Sequence, residues 1–215
     1  MKREELAAAI VDAGRKMIAA GLVAGTWGNI SARVDENSFL ITPSGVPYDL
    51  LRPEQVVEVG MDGSVRPGQL KPSTEFSLHA AIYAARPDVG GIVHTHSPYA
   101  TAFAVAGRNL PPVTEELAQL VGGEVAVAPY ALPGSRELAA GAVAALGEKN
   151  AVLLAAHGLV GVGRDVAEAL LVCQVVEKTA FIYSVAAALG EPRPLPAEEV
   201  KLLYRFYREK YGQRP

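Results

Sequence analysis

Residues 2–20 repeat apolar positions at helical spacing and stop at Gly21, which predicts an amphipathic helix ended by a glycine. "NISARVDENSFLITPSG" then alternates as two strands around a polar turn at Asp35 to Asn37, closing on Pro43 and Gly45. "VVEVGMDGSV" predicts another hairpin, with Asp62 and Gly63 at its turn. The helical period returns in "KPSTEFSLHAAIYAARPD", where a helix should start near Thr74 and end before Pro87. "GGIVHTH" is a strand, and Ser97 with Pro98 starts the next helix. "EVAVAPY" is a short strand, "SRELAAGAVAALG" a helix, and "NAVLLAAHGLVGVG" a buried strand, a glycine turn and a return strand. A long helix follows over 165–189, then the proline-rich link "GEPRPLPAEEV" and a last helix ending near "YREKYGQRP". The tight hairpins make the early strands antiparallel neighbours, so the order is not that of a doubly wound parallel sheet. A mixed or antiparallel sheet covered by helices is expected.

Composition narrows the function classes. At 215 residues the chain is long enough for one domain with a substantial core, and a single domain over 1–215 is expected. A net charge of −3 gives no global attraction to nucleic acid or to an anionic membrane. An anionic substrate must therefore be held by local donors or by a metal. The lone Cys173 sits in the helical run "EALLVCQVVEKTAFIYSVAAALG", cannot form an internal disulfide, and reads as a small packing residue. The N-terminus is amphipathic and acid-containing, unlike a signal peptide. No apolar run is expected to reach the roughly 20 residues of a membrane span, and the expected location is the cytoplasm.

The chemistry-bearing residues gather at predicted strand ends. His94 and His96 lie two apart on one strand and so share a face, with α carbons roughly 6 to 7 Å apart. Imidazoles at that spacing can converge on one ion with bonds of about 2.1 Å. One such pair is a weak signal, equally met by polar residues at a strand end. His157, at the end of the apolar strand in "AVLLAAHGLV" and followed by Gly158, turns the pair into a candidate triad. Glu75 is expected in the first turn of a helix, where negative charge is favoured, and is also the natural carboxylate companion. Three histidines and a glutamate suit Zn2+ or another divalent ion of the first transition row, Mn2+ or Co2+ included. His79, inside "TEFSLHAA", reads as structural.

Three turns carry the donors an anion needs. "GTWGNIS" holds Thr26, Gly28 and Asn29; "TPSG" holds Thr42, Ser44 and Gly45; "PSTE" holds Ser73 and Thr74. Hydroxyls, a side-chain amide and free backbone N–H groups serve a phosphate monoester when few Lys or Arg are at hand. None matches a P-loop or dinucleotide fingerprint, and each by itself is equally a plain turn.

Taken in order, "GTWGNIS", "ITPSG", "KPSTE", "HTH" and "AAHG" resemble the class II aldolase and adducin family over nearly the whole chain. The resemblance implies a three-layer α/β/α fold around a mostly antiparallel sheet, and a homotetramer with active sites between subunits. It implies zinc on His94, His96 and His157, with Glu75 as the metal-adjacent acid/base. It implies a phosphate pocket of Asn29, Ser44, Gly45, Ser73 and Thr74, with Thr26 and Gly28 around them. "KYG" matches a catalytic tyrosine, which makes Tyr211 the candidate. One departure stands out: where the aldolases place a second tyrosine, "NLPPVTEELAQL" offers Glu115, and its neighbour Glu116 resembles the acid/base of the related methylthioribulose-1-phosphate dehydratases. Both glutamates equally fit a helix N-terminus capped by Thr114. The implied activity is zinc-dependent retro-aldol cleavage of a ketose 1-phosphate similar to L-fuculose 1-phosphate, giving dihydroxyacetone phosphate and an aldehyde. The alternatives are dehydration through Glu116, and a non-catalytic adducin-like interaction module. The expected partner is a small sugar phosphate, with no nucleic acid and no membrane.

Overall fold

The computed structural model describes residues 2–213, so Met1 and the end of the predicted C-terminal stretch, Arg214 and Pro215, lie outside it. The polar turn forms as expected: the Asp35 carboxylate accepts from the backbone N–H groups of Asn37 and Ser38. It joins β1 (Asn29–Arg33) to β2 (Ser38–Ile41), which run antiparallel, and β2 pairs with β3 (Val57–Gly60). The hairpin expected after β3 shrinks to a single bridge between Val59 and Val65. The Glu58 N–H, which would continue that ladder, donates instead to the Gln69 side-chain carbonyl at 3.0 Å.

The centre of the sheet is β4 (Gly91–Thr95), antiparallel to β1 on one side and to β7 (Gly158–Gly163) on the other. Outside β7 lie β6 (Ala151–Leu154) and then β5 (Val127–Ala128), much shorter than "EVAVAPY" suggests because Val125 bridges Leu110 instead. The order is β3-β2-β1-β4-β7-β6-β5, and only β5 with β6 is parallel.

Strand alternation sends buried side chains to two layers. Ile30, Ala32, Leu40, Val93, Leu153 and Leu159 face α1 (Arg3–Ala19), α3 (Pro98–Ala106), α4 (Glu115–Val121) and α6 (Val166–Leu189). Phe39, Ile41, Val57, Ile92, Val152 and Val160 face α2 (Phe76–Ala85) and α5 (Arg136–Leu146). This is the expected α/β/α arrangement. The last helix, α7 (Ala197–Lys210), packs on α4.

Two expectations need correction. α2 starts at Phe76, not near Thr74: Ser73 turns the chain by donating its N–H to the Thr42 carbonyl and accepting from the Glu75 N–H, which leaves Glu75 as the residue before the helix. An apolar run of spanning length does exist, because α6 has 24 residues and is apolar enough by composition. Those residues pack the helix onto β4 and β7. The fit is close: a Cβ on Gly161 would lie 2.6 Å from Cys173 Sγ. Cys173 is fully buried, and burial pushes its thiol up to about 12, as suits a packing residue.

Candidate active site

The site lies where β1, β4 and the β6–β7 turn end together. His94 occupies β4 opposite Asn29 of β1, and is fully buried. His96 falls one residue beyond the strand, and His157 sits in the turn after β6 and not on the strand itself. That turn places Ala156 at a φ of 54°, a conformation non-glycine residues rarely adopt and one that tends to mark functional positions.

The three imidazoles converge. His94 Nε2 lies 3.0 Å from His96 Nε2 and 3.2 Å from His157 Nε2. The His94 Nδ1–H donates to the Leu159 carbonyl at 3.0 Å, which leaves the Nε2 lone pair facing its neighbours. Burial, and then the adjacent His157, hold His94 well below the ordinary histidine range, and the same causes lower His96. Neutral imidazoles are the form that ligates a metal. The Glu75 carboxylate completes the group, with Oε2 3.3 Å from His94 Nε2 and Oε1 3.5 Å from His157 Nε2. Glu75 Oε1 is buried and has no hydrogen-bond partner among the described residues.

The His94 Nε2 lone pair can accept from only one of its two neighbours, whereas one cation between the three nitrogens satisfies them all. A tetrahedral ion with bonds of about 2.0 to 2.1 Å needs ligand atoms about 3.3 to 3.4 Å apart, close to the spacing seen here. The nitrogens of His94, His96 and His157 therefore fit a divalent metal. The donor set excludes neither manganese nor cobalt in favour of zinc.

Two glycines allow the convergence. A side chain on Gly158 would put its Cβ 2.3 Å from the Thr95 carbonyl oxygen and 3.3 Å from both the His94 and His96 rings. Gly28 has φ +78°, and a Cβ there would lie 2.5 Å from the His94 carbonyl oxygen. Each close approach sits where another strand end carries a histidine.

Above the histidines opens a cleft of about 310 Å³. Seven of the eight residues singled out in the turns line it: Thr26, Gly28, Asn29, Ser44, Gly45, Ser73 and Thr74, together with Glu75, His96 and His157. Among the described residues no lysine or arginine does, so an anion here depends on hydroxyl, amide and backbone donors and on the metal position. Thr42 is buried behind the wall, where its hydroxyl accepts from the Ile30 N–H.

Sequence reasoning missed some of the wall. Trp27 lies within "GTWGNIS", and its ring stacks on His96 at a centroid distance of 5.8 Å. Tyr48 donates its hydroxyl to the Gly28 carbonyl at 2.8 Å and braces the first turn. Pro133 lines the cleft from the loop before α5, with no local signal to mark it. The remaining candidates lie elsewhere. Glu115 and Glu116 open α4 on the surface, Glu116 in an ion pair with Lys178 at 3.0 Å that, chiefly through the hydrogen bond, lowers its pKa. Tyr211 follows α7, is 58% exposed and stacks on Tyr207. None of the three lines this chain's cleft.

Residues 8–184 match the family model described as class II aldolase and adducin N-terminal domain. The chain is 41% identical over 213 residues to a 5-deoxy-D-ribulose 1-phosphate aldolase of Bacillus thuringiensis serovar kurstaki, covering 99% of this chain and 97% of that protein. It is 39% identical to a 5-methylthioribulose-1-phosphate/5-deoxyribulose-1-phosphate aldolase of Rhodospirillum rubrum, covering 94% of this chain and 90% of the relative. Among solved structures, an L-fuculose 1-phosphate aldolase superposes with a TM-score of 0.90 at 33% identity, over 95% of this chain and 96% of that one.

Proposed function

Given that this chain belongs to the class II aldolase and adducin family and has the lyase role of its aldolase relatives, we propose that it cleaves a 5-deoxy-type ketose 1-phosphate to dihydroxyacetone phosphate and a short aldehyde. The observation that carries the reading is the convergence of His94, His96, His157 and Glu75 at the floor of a cleft walled by neutral anion donors. The relatives of higher identity bear 5-deoxyribulose 1-phosphate in their names, which favours that substrate over L-fuculose 1-phosphate.

The phosphate is held by Asn29, Ser44, Gly45, Ser73 and Thr74, with Thr26 and Gly28 completing the rim. His94, His96 and His157 hold the metal, for which zinc is the proposed ion. When bound, the cation supplies positive charge at the point where an oxyanion develops, worth several kcal/mol to the barrier. In the cleavage direction the C4 hydroxyl loses its proton, the C3–C4 bond breaks, and its electrons pass toward the C2 oxygen. The C4 carbon leaves as the aldehyde and an enediolate of dihydroxyacetone phosphate remains. Glu75 then takes a proton from water and delivers it to C3, and Oε1, buried without a partner among the described residues, is the atom suited to carry it. We assign Glu75 to this proton transfer, with any contact to the cation secondary.

Tyr211 serves the proton at the departing aldehyde's oxygen from a neighbouring copy, in a homotetramer with active sites between subunits. What supports this is that Tyr211 is exposed on its own chain and away from its own cleft. Glu115 stands beside the aldehyde end of the neighbour's substrate in the same arrangement. The relative named for methylthioribulose 1-phosphate is an aldolase, and Glu116 is engaged by Lys178, so the dehydratase reading with Glu116 as base ranks second. A complete histidine set gives no support to a non-catalytic interaction module. The reading is tested by offering purified protein 5-deoxyribulose 1-phosphate, methylthioribulose 1-phosphate and L-fuculose 1-phosphate and measuring dihydroxyacetone phosphate. Highest kcat/KM on 5-deoxyribulose 1-phosphate is expected; loss of water from the substrate, with no triose phosphate released, would replace this reading with the second.

A further inference from the structure

Behind Glu75 and Asn29 runs a line of buried polar groups, His79, Ser31 and Tyr83, that the cleavage chemistry does not use. Asn29 Nδ2 donates to Glu75 Oε2 at 2.9 Å. Asn29 Oδ1 meets His79 Nε2 in a short contact. His79 Nδ1 lies 2.6 Å from Ser31 Oγ, and Ser31 Oγ lies 2.8 Å from the Tyr83 hydroxyl. Ser31 and His79 are completely buried, and Tyr83, Asn29 and Glu75 nearly so.

The direction of each bond follows from its neighbour. An ionised carboxylate only accepts, so Asn29 must turn its NH2 toward Glu75 and its carbonyl toward His79. His79 must then carry its proton on Nε2, and its Nδ1 must accept. Ser31 therefore donates to Nδ1 and is free to accept from Tyr83. Burial lowers His79 to about 3, which keeps it neutral, and raises Tyr83, which keeps its hydroxyl a donor. All four donors point toward Glu75.

We propose that Tyr83, Ser31 and His79 are positioning residues that lock the amide of Asn29 with its NH2 against Glu75 Oε2, so that Oε1 alone is left to exchange the substrate's proton. An amide can orient but does not relay a proton at neutral pH, so a proton taken by Glu75 stays on the cleft side. The same orientation leaves the second N–H of Asn29, a cleft-lining residue, to the substrate's anionic group. A histidine at this position thus acts through its tautomer, not its charge. This inference rests on Glu75 being the proton-transfer group.

Three measurements test it, and the first needs no turnover. Nitrogen-15 NMR of the histidine rings should show His79 neutral with the proton on Nε2; a proton on Nδ1 would overturn the proposal outright. Next, His79→Leu should lose about tenfold or more in kcat, the loss of one buried hydrogen bond, with metal content unchanged and KM moved by less. His79→Gln, whose amide N–H takes the place of Nε2–H, should restore most of that loss; equal damage in both variants would reduce His79 to a space-filling role. Ser31→Ala, three hydrogen bonds removed from the carboxylate, should allow the His79 proton to move and lower kcat several-fold; an unmoved tautomer with normal kcat would exclude Ser31 from fixing the tautomer. Glu75→Gln separates the two claims, since full activity in that variant sinks the role of Glu75 while leaving the His79 tautomer to be judged by NMR.

Discussion

The histidine corner and the surface formed by α4 and the end of α7 both present residues suited to acid/base work, and their settings are opposite. His94 and Glu75 are buried, held by neighbours across three strands, and shaped by glycines that admit no side chain. Glu115, Glu116 and Tyr211 stand at helix ends, where Tyr211 is more than half exposed and Glu116 finds only a surface lysine. The first region is built from one chain and complete in its ligands. The second has no counterpart within its own chain. In the assembly proposed above, the corner would fix the reaction and the surface region would tune the aldehyde end.

Substitutions sharpen that contrast. His94→Ala should have the largest effect, removing bound metal and lowering kcat/KM by more than about a thousandfold, measured by metal analysis beside steady-state kinetics. Glu75→Gln should keep the metal and cost about 10² to 10⁴ in rate, the usual range for a lost acid/base. Gly158→Ala should follow: overpacking costs about 1 to 3 kcal/mol of stability, visible in thermal melts, and separating the His94 and His96 rings weakens metal affinity. Tyr211→Phe should lower kcat by about ten- to a hundredfold with metal intact, and addition of a Glu75→Gln chain that retains Tyr211 should restore activity in mixed assemblies. Glu116→Gln should change kcat less than about twofold, because losing an exposed ion pair costs little. A large loss there would reverse the ranking of the two regions.

Much of the corner was legible because it rests on local rules. Strand alternation placed His94 and His96 on one face, and serine, threonine and glycine turns marked the anion donors before any contact was known. The sheet's antiparallel character followed from the polar turn at Asp35. Less legible were features set by distant packing. The return strand after β3 failed because the Gln69 side chain takes the Glu58 N–H, and α2 began late because Ser73 bonds to Thr42 across 31 positions of sequence. α6 reached membrane-spanning length because a helix lying on the middle of a sheet is apolar over much of its surface. His79 gave no periodic signal beyond a helix interior, yet both its partners, Asn29 and Ser31, come from β1, and Ser31 in turn meets Tyr83 one turn further along α2.

A divalent cation on His94, His96 and His157 is what we propose makes this cleft an aldolase site. The direct measurement is dihydroxyacetone phosphate release from 5-deoxyribulose 1-phosphate by the purified protein, before chelation, after removal of metal, and after return of Zn2+. Release should disappear with the metal and return with it, with no recovery in His94→Ala. Undiminished release from protein shown by elemental analysis to be metal-free would contradict that proposal.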